Sequence, residues 1–163
     1  MKRGNILRSE EGSILIVALI MLVLLTLMGI SATKTANVEI QIAGNDKTYK
    51  ENFYKAEASA MEAIQQMEDT DLEDSPPSWL LSDSTSFVET SIRTESFWNP
   101  GSGTAPSAID SSNARYYAVH DGIVETGESL DMIKTKIHAY RVYGRCSRNN
   151  GVSIIKVGYR KAF

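Results

Sequence analysis

No charged residue occurs between Ser13 and Thr33. Within that stretch Ile14 to Leu25 is unbroken apolar, and Thr26 and Gly29 are the only weak points before Ile30. A helix rises about 1.5 Å per residue, so the stretch spans roughly 30 Å, the thickness of a bilayer's hydrocarbon core. A soluble domain of this size has no use for a helix that is apolar on every face. Lys2, Arg3 and Arg8 precede it. Basic residues ahead of a first span hold that end in the cytoplasm, so the chain after Thr33 is expected on the far side. Glu10 and Glu11 dilute the basic charge but contribute little to orientation.

Three fates compete for such a segment. A secretory signal would be cut before Ala32, behind the small residues Gly29 and Ser31, but the apolar core is longer than that signal usually carries. A plain membrane anchor would stay uncut. In the third, the cut falls ahead of the apolar stretch, which remains on the protein. Arg8-Ser9-Glu10-Glu11-Gly12-Ser13-Ile14 favours the third, because a short basic leader ends in glycine and the apolar run starts at once. The junction resembles the class III signal of type IV pilins and pseudopilins. That resemblance implies cleavage between Gly12 and Ser13 by a prepilin peptidase, with methylation of the new amine on Ser13. Residues 1–12 are then a leader, 13–33 a transmembrane or filament-core half-helix, 34–68 an amphipathic half, and 69–163 an outer domain.

Past Thr33 the apolar pattern narrows to a stripe. Val38, Ile42, Tyr49, Phe53, Ala56, Ala60, Ile64 and Met67 recur at helical spacing, and charged residues fill most of the rest. Pro76 and Pro77 forbid continuation, and the acidic run from Asp69 to Asp74 is expected to end the helix earlier. One helix from about Ser13 to Met67 would be ~80 Å long. Ile42-Ala43-Gly44-Asn45, followed by Phe53-Tyr54-Lys55-Ala56-Glu57-Ala58, resembles the N-terminal region of PilX-type minor pilins. The likeness covers about residues 8–68 and says little about the remainder. It implies the pilin fold, and a structural subunit whose partners are major and other minor pilins, the prepilin peptidase, the inner-membrane assembly platform and a tip-associated adhesin.

One position departs from the pilin pattern. Major pilins carry a glutamate at the fifth mature residue, and here that residue is Val17. A carboxylate inside an apolar helix is costly and is normally kept for a partner. Val17 removes both the cost and the partner, which by resemblance suits a minor subunit placed near a tip, where no amine ahead needs neutralising.

The outer domain reads as loop over residues 75–113 and as sheet over 114–163. Phe87 to Arg93 is expected as a strand, and Trp79, Phe97 and Trp98 as anchors of the loop. Arg115–Val119 and Ile123–Thr126 flank His120-Asp121-Gly122, a hairpin signal. Lys136–Cys146 and Val152–Tyr159 flank Asn149-Asn150-Gly151, a second one. His138, Tyr140 and Val142 share one face, as do Ile155, Val157 and Tyr159. The expected architecture is α+β: the amphipathic half of the helix laid on an antiparallel sheet of about four strands.

Charge is segregated. Between Glu51 and Glu89 the acids face Lys55 alone, whereas Lys134 to Phe163 holds eight bases and no acid. Compensation inside the domain is the plainer account. Complementary faces between stacked subunits are the sharper one, with Arg145 and Arg148 as candidate contacts. Tyr140, Tyr143 and Tyr159 interleave with Arg141, Arg145 and Arg160, a pattern that also occurs in single-strand binders. A net charge of −3 weighs against nucleic acid as a partner.

Other chemistry is poorly supplied. Asp69-Thr70-Asp71-Leu72-Glu73-Asp74 opens like a calcium loop, but Asp74 stands where glycine is required and Leu80 where an acid is. The lone Cys146 excludes an internal disulfide and is expected as a free thiol. Two histidines and no phosphate-binding glycine loop make an enzyme the weakest reading, and no metal or cofactor is expected. The expectation is a minor pilin, processed from a prepilin held in the inner membrane with its N-terminus cytoplasmic and its outer domain periplasmic, then built into an extracellular type IV pilus. It would prime or cap the filament and support assembly and surface adhesion. A minor pseudopilin of type II secretion is the nearest alternative, and an anchored periplasmic domain that never polymerises is the more distant one.

Overall fold

A single helix, α1 (Glu10–Asp69), is followed by a mixed five-stranded sheet, an α+β arrangement. The computed structural model describes residues 10–72, 74–101, 103–124 and 136–162. The leader positions 1–9, the expected strand end at residues 125 and 126, Glu73 and Lys134 lie outside them. The chain divides into two compact units, residues 1–46 and 47–163.

In the first unit the described residues are all helical, and every described side chain from Gly12 to Asp46 is exposed. The helix already includes Glu10, so it begins before Ser13. Three of its threonine hydroxyls bond back to the helix. Thr26 donates to the Val23 carbonyl at 2.8 Å, Thr33 to Gly29 at 2.9 Å and Thr35 to Ser31 at 3.2 Å. Such back-bonding pairs these three hydroxyl hydrogens without needing water.

In the second unit the sheet order is β1 (Leu80–Leu81), β3 (Ala114–Val124), β4 (Ile137–Arg148), β5 (Gly151–Ala162), with β2 (Ala105–Pro106) also on β3. The three long strands are antiparallel, as expected, but β1 runs parallel to β3, which makes the sheet mixed. The second hairpin is as read: Arg148 pairs with Gly151 across a two-residue turn. Asn149 and Asn150 both take positive φ, 51° and 60°, the mirror-image turn whose twist matches the strands.

The first hairpin does not form. β3 continues through His120-Asp121-Gly122, which instead makes a bulge: His120 pairs with Tyr140, and Gly122 with Ala139. Gly122 has φ 103°, so the glycine that signalled a turn permits a bulge within one strand. The strand expected over Phe87 to Arg93 is also absent. Short 3-10 turns occupy Ser84–Ser86, Glu89–Arg93 and Glu95–Trp98. They bring Ile92, Phe87, Phe97 and Trp98 onto Tyr117, Val119 and Tyr143. The apolar residues in this stretch are spaced for tethering one sheet face, not for pairing. Trp98 is anchored as expected, and its indole N–H donates to the Ile92 carbonyl at 2.6 Å.

The opposite sheet face packs on the helix. Ala60, Ala63 and Met67 meet Tyr116, Ala118, Tyr140 and Val142, joined by Val157 and Tyr159. The shared faces of β4 and β5 are therefore those the alternation indicated. The helical stripe holds only in its second half, where Ala56, Ala60 and Met67 are buried and Ile64 packs beside them. Val38, Ile42 and Tyr49 are exposed, Phe53 is 39% exposed, and the buried positions are Asn52, Ala56, Ser59, Ala60, Ala63 and Met67. The contact demands small residues because the backbones nearly touch. A Cβ on Gly144 would lie 2.1 Å from the Ala56 carbonyl oxygen.

The end of α1 is held from the sheet. Its last turn has no basic residue, yet Lys161 of β5 donates to the carbonyls of Met67, Glu68 and Thr70 at 2.7, 3.2 and 3.1 Å. A cation at a helix C-terminus satisfies orphan carbonyls and opposes the macrodipole.

Candidate functional site

The apolar helix of the first unit is the most unusual surface of the molecule. Ile14 to Ile30 present their aliphatic side chains outward, and none of the most apolar window is buried. Isolated exposed leucines are ordinary, but a continuous apolar cylinder needs a non-aqueous surround. The helix is long and apolar enough to cross a membrane.

The expected processing boundary lies on this helix. Gly12 and Ser13 are both helical and exposed, and a Cβ at Gly12 would meet nothing within 4 Å. Val17 is exposed on the same helix. The motif residues part company. Ile42, Ala43, Gly44 and Asn45 are exposed. Ala56 is fully buried against the sheet, Glu57 and Ala58 are half-buried, and Tyr54 is 63% exposed. Tyr49, Phe53 and Tyr54 form an aromatic group on the helix surface, with centroids 6.5 and 5.7 Å apart in sequence order.

Sequence reasoning missed Asn52, which lies just before this second half of the motif. Its buried amide donates to the carbonyls of Arg148 at 3.1 Å and Gly151 at 2.9 Å, on either side of the β4–β5 turn. Its carbonyl faces the Cys146 sulfur at 3.5 Å. Cys146 is a free, buried thiol, as expected, and burial pushes its pKa up. A polar residue in register with Ala56, Ser59, Ala60 and Ala63 on the helix was the available signal.

The segregated charges meet within the second unit. Lys55 binds Asp110 at 2.6 Å, and Lys156 binds Glu89 at 2.7 Å. Arg141 Nε donates to both carboxylate oxygens of Asp121, at 2.8 and 2.7 Å. Arg145, one of the two candidate subunit contacts, has a side chain only 7% exposed and binds Glu95. Arg148 is 46% exposed and lies 4.0 Å from Glu51. The Lys55 ammonium holds the Asp110 carboxyl down at about 2, helped by Asn113 and Ser112 and opposed by burial. Tyr140 and Tyr143 are buried, so they offer no stacking face to a single strand. Among the described residues, no three His, Cys, Asp or Glu side chains gather as a metal centre.

Together these features define a class: a chain with one exposed N-terminal apolar helix, fit for a single-pass membrane pilin, and an α+β second unit. The particular likeness is narrower. The PilX N-terminal family model matches residues 11–60, and this region is consistent with a PilX-type type IV pilin. That family is structural, and a pilin's work lies in contacts with other pilus components. No curated protein and no solved structure matches the chain.

Proposed function

We propose that this chain is a minor pilin, made as a prepilin and cut between Gly12 and Ser13, with Ser13 then methylated. Before assembly it sits in the inner membrane with the basic leader in the cytoplasm and the outer unit in the periplasm. The assembly platform then moves it into a type IV pilus beside major and other minor pilins. The observation that carries this reading is the exposed apolar surface from Ile14 to Ile30, with the Thr26 and Thr33 hydroxyls bonded to the helix's own backbone. Such a helix exchanges lipid for sister helices without exposing a new polar group, so one surface serves as anchor and as filament spine.

Val17 supports a place near the tip, priming or capping the filament, since no carboxylate is available there for a neighbour's amine. Arg148 is the better placed of the two candidate subunit contacts, because Arg145 is already buried on Glu95. Val88 and Ile109, exposed on the 75–113 loop, suit contacts with an adhesin or a surface. A type II secretion pseudopilin would share everything up to residue 68, and neighbouring genes separate the two.

Intact mass and N-terminal fragmentation of protein purified from the pilus-bearing host give the test. A chain that begins at N-methylated Ser13 supports the proposal. A chain that keeps residues 1–12, or begins at Ala32, refutes it.

A further inference from the structure

The sheet ends in two unlike edges. β1 is two residues long, the short kind of edge that native sheets favour. β5, at the other end, runs from Gly151 to Ala162 and pairs with β4 along its whole length without a register shift. Native edges of that length are usually blunted by proline, a bulge or a covering element. β5 contains no proline, and among the described residues no strand lies beyond it.

The direction of its backbone groups follows from the turn. Arg148 and Gly151 flank Asn149-Asn150, and the pair flanking such a turn exchanges both backbone hydrogen bonds. Bonded pairs then recur at every second residue. The Ser147 N–H obeys this alternation, since it turns away from β5 to the Asn113 carbonyl at 2.9 Å. Odd-numbered residues of β5 therefore bond to β4. The even-numbered ones, from Val152 to Ala162, turn N–H and C=O to the open side, where no backbone group among the described residues meets them.

Side chains decide which strand can join. On the helix side Ile155, Val157 and Tyr159 are half-buried, so their outer flanks remain for an apolar neighbour. On the opposite side Lys156 and Arg160 are exposed. Lys156 already holds Glu89 at 2.7 Å, whereas Arg160 makes no ion pair among the described residues. β5 carries no acid, so a second copy of it would bring base against base, which disfavours pairing. A strand that carries acid meets no such bar.

We propose that the open edge of β5 takes up an extended acidic segment of a partner protein by strand addition, with a carboxylate opposite Arg160 and apolar side chains beside Ile155, Val157 and Tyr159. Backbone bonds supply the affinity, and the alternation of acid and apolar residues supplies the selectivity. The edge lies wholly in the second unit, so strand addition requires neither cleavage at Gly12 nor entry into a filament.

Full-length protein in nonionic detergent micelles is mixed with a capped peptide of about eight residues, valine alternating with glutamate, the length of an ordinary strand. Amide hydrogen exchange along β5 is read by NMR. In the free protein the odd-numbered amides should be protected, and those of Ile154, Lys156, Gly158 and Arg160 should exchange rapidly. The peptide should protect these even-numbered amides saturably. The same peptide methylated on its glutamate nitrogens, or with lysine in place of glutamate, should not. Arg160→Glu should weaken uptake about fivefold, as expected when an attractive cross-strand pair becomes a repulsive one. Gly158→Pro should abolish uptake while the odd-numbered amides stay protected, because Gly158 directs its N–H outward and a Cβ there meets nothing within 4 Å. Even-numbered amides already protected in the free protein overturn the proposal, as does exchange unchanged at millimolar peptide. So does equal protection by the lysine peptide, or protection that rises with protein concentration alone, which would make the occupant a second copy.

Discussion

The two units use helical surface in opposite ways. In the first, large aliphatic side chains face outward and none is buried. In the second, the helix buries Ala56, Ser59, Ala60 and Ala63, while Phe53, Tyr54 and Met61 remain exposed. Side-chain size therefore does not say which face is the core. Where the helix meets β4 the separation is set by backbone, and only small residues fit. Where the helix is apolar on every side, large residues accumulate, and such a surface suits lipid or another helix.

The largest effect on that contrast is expected at Gly144. A methyl there would meet the Ala56 carbonyl oxygen at 2.1 Å, the Ser59 hydroxyl at 2.7 Å and the Ala60 nitrogen at 2.8 Å, two of them backbone atoms. Gly144→Ala forces helix and strand apart and is predicted to destabilise the second unit by about 3 kcal/mol. Urea unfolding of the full chain in micelles, followed through Trp79 and Trp98, measures it. Wild-type stability in that variant would mean that the close helix–strand contact does not exist.

Acid should then act on the second unit, through Asp110. Asp110 falls from its ordinary 3.8 to about 2 beside Lys55. A carboxyl whose folded pKa is depressed gives its full stabilisation above the unfolded value and loses it as pH falls through the folded one. About 2 kcal/mol should disappear between pH 4 and pH 2. Asp110→Asn should remove that part of the pH dependence. An unchanged slope in the variant would assign the acid sensitivity elsewhere.

How much of this was legible in the sequence follows from the same contrast. The apolar segment was legible because an uncharged run from Gly12 to Thr33 admits few structures. The Asn149-Asn150 turn was legible because positive φ at two successive positions favours those side chains. His120-Asp121-Gly122 misled, since Gly122 provides a positive φ for a bulge as readily as for a turn. The 84–98 segment misled because Phe87 and Ile92 look like strand residues whether they pair or tether. Asn52 and Lys161 were invisible as roles, because each acts on carbonyls more than 90 residues away in sequence.

The smallest expected effect uses another glycine. A Cβ on Gly29 would meet nothing within 4 Å, in contrast to Gly144. Glycine in a helix interior costs about 1 kcal/mol against alanine. Gly29→Ala should therefore hold or slightly raise the helicity of the isolated subunit in micelles, as measured by circular dichroism. Lower helicity would show that Gly29 already has a packing partner within the chain. A fall in pilus incorporation alongside intact helicity would make Gly29 a close-approach point between sister helices, the same use of a small residue that Gly144 serves within the chain.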